Sequence, residues 1–285
     1  MTRQDFRFFH SLRVRWAEVD MQKIVFNAHY LMYFDTAISD YWRALALPYE
    51  EAMHALGGDL YVKKASVEYQ GSARFDDQLE VALKCTRIGT SSIVFTGAIF
   101  RDHELLVNSE LVYVFANPTA QKSLPVPDAL RHLLMRFEAG EVMADIKIGN
   151  WDALGGDAAK VRIEVFVQEQ KIPEALEWDE ADHEAVHAVA YNGLGQAVAT
   201  GRLLKDAAGT IKVGRMAVKR VLRGSHLGRD ILQALTDVAI KRGDCEILLH
   251  AQRSAEGFYK RAGFISQGEP FDEVNIAHIE MVKRL

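Results

Sequence analysis

The chain has 285 residues, 49% of them hydrophobic and 26% charged, which excludes a disordered or collagen-like polymer and, at about 150 residues per domain, suits two domains. Lysine and arginine number 34 against 39 aspartates and glutamates, so a net charge of −5 leaves no basic surplus for wrapping nucleic acid. Two distant cysteines, Cys85 and Cys245, exclude a disulfide scaffold and a zinc ribbon; with no signal-like start and no apolar run of about 18 residues, the chain reads as cytoplasmic and free of membrane spans.

Residues 10–16 alternate as a short strand does, and a loop follows over 18–26. From residue 28 the period changes. Leu31, Phe34, Ile38, Tyr41 and Leu45 recur at three- and four-residue steps and predict one amphipathic helix, with Asn27 as its N-cap and Pro48 at or just past its end. Strands are predicted at 60–70, 79–88, 92–100 and 105–116, with Leu79, Val81, Leu83 and Cys85 sharing a face of the second. Pro118, Pro125 and Pro127 then end the sheet, because proline donates nothing to a ladder. One long helix wrapped by an antiparallel sheet accounts for 7–117.

A short helix and a linker fill 127–145, and the domain boundary is placed near 142, giving domains 1–141 and 142–285. The second half predicts a helix at 158–170 and strands at 186–190, 197–204 and 210–219, the last two joined by a turn at 206–209. A strong helix follows at 229–241, where Ile231, Leu232, Leu235, Val238 and Ala239 share a face and Gly243 stands as C-cap. A strand at 246–250, a short helix at 255–262 and a strand at 276–282 close the chain. The whole is α+β, with a mixed α/β second domain.

Two strings carry chemistry. In the first, Asp20 lies in the loop just ahead of the long helix, close in sequence to Asn27 and His29. A helix start bares backbone N–H groups and a partial positive charge, and so polarises a carbonyl; a carboxylate facing that carbonyl attacks it or activates water. Taken alone, Asp20 reads as a turn or cap residue, and Asn27 and His29 as structural. The string Asp20, Val25, Phe26, Asn27, Ala28, Tyr30, Leu31, Tyr33, Phe34, followed by Ala73, Arg74, Phe75, Asp76 and Asp77 before a strand, resembles the 4-hydroxybenzoyl-CoA thioesterase-like family, which has the hotdog fold. The resemblance covers about residues 7–135. It implies hydrolysis of acyl-CoA thioesters with Asp20 as nucleophile or general base, the helix start as oxyanion site, and homodimers or homotetramers with the site at the seam between subunits. Lys23 and Ile24 depart from the glycine that the family often has in this loop.

In the second string, a strand running through Met216 and Val218 leads into Arg223, Gly224, Ser225, His226, Leu227, Gly228 and Arg229 at a helix start, a cradle suited to a pyrophosphate. Downstream, Phe258, Tyr259, Gly263 and Phe264 put a tyrosine on a short helix, where its hydroxyl is either core or a proton donor. Both strings resemble the GNAT superfamily of N-acetyltransferases. The strings around Val165 to Gln170, around Leu249 to Gln252, and around Ile276 to Met281 narrow it to the ElaA-like subgroup. The resemblance covers about residues 146–285. It implies that Met216 and Val218 hold the acetyl carbonyl and pantetheine, that Arg223, Gly224, Ser225, Leu227, Gly228 and Arg229 hold the pyrophosphate, and that Tyr259 is the general acid. The base is open between Glu169 and His250. His226 stands where the family has glycine.

The two halves together predict a bifunctional enzyme. It would consume acyl-CoA and acetyl-CoA as substrates, hold no tightly bound cofactor or metal, and acetylate a small or protein-borne amine. The alternative is that one domain only senses acyl-CoA or drives oligomerisation.

Overall fold

Apolar side chains at three- and four-residue spacing make the helix α1, Asn27–Ala44, and bury Tyr30, Tyr33, Phe34, Ala37, Ile38, Tyr41 and Trp42. The computed structural model describes residues 1–205 and 211–285 and divides into two units, Met1–Met143 and Ala144–Leu285. In the first unit α1 lies on an antiparallel sheet formed by β1 (Phe8–Arg13), β2 (Asp59–Tyr69), β3 (Gln78–Ile88), β4 (Ser92–Arg101) and β5 (Glu104–Asn117) in the order β1-β3-β4-β5-β2, with β6 (Lys122–Ser123) paired to β5. Gly97 on β4 lets the helix come close: a Cβ there would stand 2.6 Å from the Phe34 ring. The helices α2 (Tyr49–Leu56) and α3 (Asp128–Glu138) complete the unit. A Tyr41 hydroxyl donating to Glu138 at 2.5 Å ties α1 to α3.

Several expectations shift. The N-cap of α1 is Phe26, and Asn27 is the first helical residue with no capping bond from its side chain. Leu31 is 40% exposed, because the buried stripe runs one position earlier, through Tyr30 and Tyr33. The first strand starts at Phe8 rather than residue 10, and α1 stops at Ala44, so that Pro48 caps the unforeseen α2.

The second unit is a seven-stranded sheet in the order β12-β13-β11-β10-β9-β8-β7. Its strands are β7 (Ala144–Gly149), β8 (Val186–Asn192), β9 (Ala197–Lys205), β10 (Ile211–Val218), β11 (Glu246–Gln252), β12 (Ile265–Glu273) and β13 (Ile276–Arg284). Its helices are α4 (Trp151–Arg162), α5 (Glu174–Glu177), α6 (Leu227–Arg242) and α7 (Glu256–Arg261). The predicted helix at 158–170 begins earlier, at Trp151, and its last part is a π-helical stretch, Ile163–Glu169. β7 and β12, the two edge strands, were not anticipated. The turn expected at 206–209 lies outside the described residues. Gly243 ends α6 at φ 81° and donates to Ala239, as a C-cap does.

All ladders of this sheet are antiparallel except β10 with β11, which is parallel and registers only at Lys212 opposite Leu248. A bulge on β10 between Gly214 and Ala217, with Arg215 at φ 51°, bends the strand away from β11. The strands therefore open into a cleft of about 310 Å³, whose lining includes Met216, Leu249, His250, Tyr259 and His278.

Candidate active sites

In the first unit, residues 20–24 form a tight turn closed by two backbone bonds, Asp20 N–H to Ile24 O and Lys23 N–H to Asp20 O, both 2.9 Å. The Asp20 carboxylate, half-buried, accepts the Gln22 N–H at 2.8 Å through Oδ1. Lys23 stands at φ 62°, the left-handed conformation that glycine adopts without strain. Beneath the turn, buried Glu18 accepts the Tyr33 hydroxyl at 2.8 Å and the Arg15 N–H at 2.7 Å, while Phe26 N–H donates to Glu18 O. The loop that carries Asp20 is thereby fixed to α1. Val25 N–H donates to Ala73 O and Ala73 N–H to the Tyr30 hydroxyl, so the string at 73–77 braces the same loop.

The amides of Asn27 and Ala28 have no acceptor among the described residues, as the first turn of a helix requires. The Asn27 side chain is exposed, and the Asn27 backbone carbonyl accepts the Tyr69 hydroxyl at 3.1 Å; His29 is half-buried against the edge of Phe26. Phe26, Leu31, Met32 and Tyr69 are 40–50% exposed around this helix start.

In the second unit, the loop from β10 to α6 turns at Gly224, φ 89°, and at His226, φ 70°. Ser225 Oγ–H donates to Leu222 O at 2.6 Å and closes the turn from within. The amides of Gly224, His226, Leu227, Gly228 and Arg229 have no acceptor among the described residues, and they converge at the N-terminus of a 16-residue helix. Such a row of N–H groups, in the field of a helix dipole, binds phosphate oxygens. Arg223 adds a cation to this loop. Its guanidinium grips both oxygens of Glu169 at 2.7 Å. Glu169 therefore sits on the phosphate side of the loop as a tether for Arg223, and it does not line the cleft.

Tyr259, on α7, is 8% exposed, and burial pushes its hydroxyl up to about 12. Phe258 and Phe264 pack edge-on against it, and its hydroxyl has no hydrogen-bond partner among the described residues. It therefore remains a proton donor at neutral pH. His250 also lines the cleft, but each of its ring nitrogens faces a carboxylate, Nδ1 at 3.6 Å from Glu273 and Nε2 at 3.8 Å from Glu280.

Other groups at the cleft were not singled out from sequence. The π-helical stretch delivers Gln170, whose amide accepts from Gln252 of β11 at 2.9 Å. Arg162, 1% exposed, bonds Glu177 at 2.6 Å and Asp182 at 2.8 Å, and Arg202 bonds Asp182 and Asp179 at 2.7 and 2.6 Å. Burial raises Glu177 above the usual carboxylate range. Asp182 is also raised by burial, but the guanidiniums of Arg162 and Arg202 more than reverse this. Arg215, on the bulge, lies 3.3 Å from Glu177 and 3.2 Å from Asp179, so this network forms a wall of the cleft. Its partners lie 15–38 residues apart, and no local pattern marks them. Among the described residues, no group of three or more His, Cys, Asp or Glu is placed to hold a metal ion, and no helix is long and apolar enough to cross a membrane.

Comparison with known proteins matches residues 154–285 to the acetyltransferase (GNAT) domain and residues 22–108 to the thioesterase superfamily. The uncharacterized N-acetyltransferase YjcF of Bacillus subtilis is 37% identical over 129 residues, 45% of this chain and 90% of that protein. The acyl-CoA thioester hydrolase YbgC of Escherichia coli O157:H7 is 28% identical over 124 residues, 43% of this chain and 92% of that protein. The crystal structure of an acyl-CoA N-acyltransferase from Pseudomonas aeruginosa, 30% identical, covers 49% of this chain and 99% of its own, with a TM-score of 0.45. Both families are enzymes.

Proposed function

From a chain that belongs to the GNAT acetyltransferases through its second unit and to the thioesterase superfamily through its first, we infer that one polypeptide runs two reactions on CoA thioesters. The observation that carries this reading is the recurrence, in two unrelated folds, of a helix start with unpartnered amides, one following the turn that holds Asp20 and one following the turn at Gly224 and His226.

In the first unit the reaction is hydrolysis of an acyl-CoA. The thioester carbonyl oxygen rests on the free amides at Asn27 and Ala28, and the Asp20 carboxylate attacks the carbonyl carbon or takes a proton from the attacking water. Phe26, Leu31, Met32 and Tyr69 form an exposed apolar rim that a second copy of the unit covers, which favours a homodimer or homotetramer with the site at the seam and His29 close to it. In the second unit acetyl-CoA lays its pyrophosphate along the amides of Gly224, Leu227, Gly228 and Arg229, with Ser225 bracing the turn and Arg223 as counter-charge. Its acetyl carbonyl lies along the bulged strand at Met216 and Val218, and Tyr259 protonates the departing CoA thiolate. The acceptor is a small amine or a protein amine. We place both reactions in the cytoplasm, where the two free cysteines, Cys85 and Cys245, stay reduced.

A reading in which one unit only senses acyl-CoA starts from Lys23 and His226. Both residues stand in the left-handed backbone region that favours glycine, at φ 62° and 70°, so each loop takes a glycine-like turn without glycine, and turnover at both sites is favoured.

CoA release from a panel of acyl-CoAs tests the first site. Asp20→Ala is expected to lower kcat by at least about 100-fold with the unfolding midpoint unchanged; undiminished release removes Asp20 from the mechanism. Acetylation of an amine panel tests the second. Tyr259→Phe is expected to lower kcat by about 10–100-fold with little change in KM for acetyl-CoA, the pattern of a group that acts after binding.

A further inference from the structure

On the acetyl-transfer reading, the base that takes the acceptor's proton is unassigned. Among the described residues, four carboxyl and imidazole side chains line the cleft. Glu177 is held by Arg162 at 2.6 Å within the buried network. His250 has a carboxylate at each nitrogen, and Glu273, half-exposed at the end of β12, faces His250 at 3.6 Å. The fourth is His278 on β13. It is 9% exposed, lines the cleft, and stacks at 24° on Phe271, its cross-strand neighbour on β12. Its Nδ1 lies 2.7 Å from Ile276 O. A carbonyl only accepts, so Nδ1 carries the proton, and the lone pair is on Nε2. Nε2 has no partner among the described residues. The ring is thus fixed in orientation and tautomer by its own strand and by an aromatic neighbour, with its basic nitrogen left over. Across the ladder from His278 is Gln252, which Gln170 holds from the opposite side of the cleft.

We propose that His278 is the general base of acetyl transfer, acting through Nε2 in the cleft that Tyr259 also lines. As the acceptor nitrogen attacks the acetyl carbon, its proton passes to His278 Nε2. The new C–N bond forms, the C–S bond breaks, and the electron pair leaves with sulfur, which takes the Tyr259 proton. The products are an amide and CoA thiol. The imidazolium then returns its proton to the phenolate, and both groups are restored.

His278→Asn in the full-length protein is the test, because the asparagine amide keeps a donor for Ile276 O while removing the distal basic nitrogen. Acetylated amine is read by mass spectrometry, so that hydrolysis of acetyl-CoA does not enter the count. The expected result is a kcat lowered by about 100–1,000-fold, acetyl-CoA affinity within about threefold of wild type, and partial recovery of kcat on adding imidazole. A kcat within about threefold of wild type overturns the proposal, as does a loss that imidazole leaves unchanged, which marks a packing role. A second measurement needs no variant. Nitrogen-15 spectra of the wild-type protein should show His278 as the Nδ1–H tautomer, and the Nε2–H tautomer overturns the assignment even if the variant fails to fold. Wild-type protein that acetylates none of the amines instead defeats the acetyl-transfer reading itself, and the base falls with it.

Discussion

His226 stands at φ 70° at the N-cap of α6 and its side chain makes no capping bond. An L-residue in the left-handed region costs about 1–2 kcal/mol, with histidine toward the lower end. Glycine removes that cost but brings about 0.5–1 kcal/mol of extra backbone freedom in the unfolded chain. The difference predicts that His226→Gly stabilises the second unit by up to about 1 kcal/mol, measured as a shift in denaturant midpoint at constant slope. A lower midpoint would mean that the imidazole makes contacts worth more than the strain. The departure from family pattern at this position was visible in the sequence; the sign of φ was not, because histidine itself gives no cue to a left-handed turn. Lys23, at φ 62°, is the same case in the other loop.

The stripe of α1 and the alternation of β5 declared themselves by period, since one face of each meets the core, and β4 declared itself as an apolar run buried on both faces. The edge strands β7 and β12 did not: β12 is mostly exposed and interrupted by Gly268 and Pro270, so it offers no alternation to read. The helix starts that frame both sites were legible because their signal is local: glycines, an aspartate and an arginine within a few residues of an apolar run. The wall of the cleft was not, because Arg162 of α4 meets Glu177 and Asp182, 15 and 20 residues on, only in the folded chain. That wall makes its own prediction. Arg162 is 1% exposed, its guanidinium lies 4.9 Å from the Trp178 ring centre, and it satisfies two buried carboxylates. Arg162→Ala leaves buried Glu177 with Arg215 alone and buried Asp182 with Arg202 alone, and should cost up to about 3–5 kcal/mol of stability, read by denaturant unfolding. A loss below about 1 kcal/mol would mean that water reaches the acids and that the network contributes little.

At the scale of the molecule, each unit has its own core, so calorimetry of the full chain should resolve two transitions rather than one. Each has a marker. Arg162→Ala should lower one transition, and Glu18→Gln the other. Glu18 is 3% exposed. Burial pushes its carboxyl up, but the Arg15 N–H, the Tyr33 hydroxyl and the Arg15 guanidinium outweigh it and leave the group below the usual carboxylate range. A carboxyl lower in the folded than in the unfolded state contributes stability that is complete above the unfolded value, about 4.3, and is lost as pH falls through the folded one. The transition that Glu18→Gln lowers at pH 7, by about 1–3 kcal/mol, should therefore converge with wild type as pH drops below about 4, while the Arg162→Ala transition keeps its own offset from that effect. One substitution moving both transitions, or a Glu18→Gln deficit that grows on acidification, would contradict the separation of the units or the charge state of Glu18 respectively.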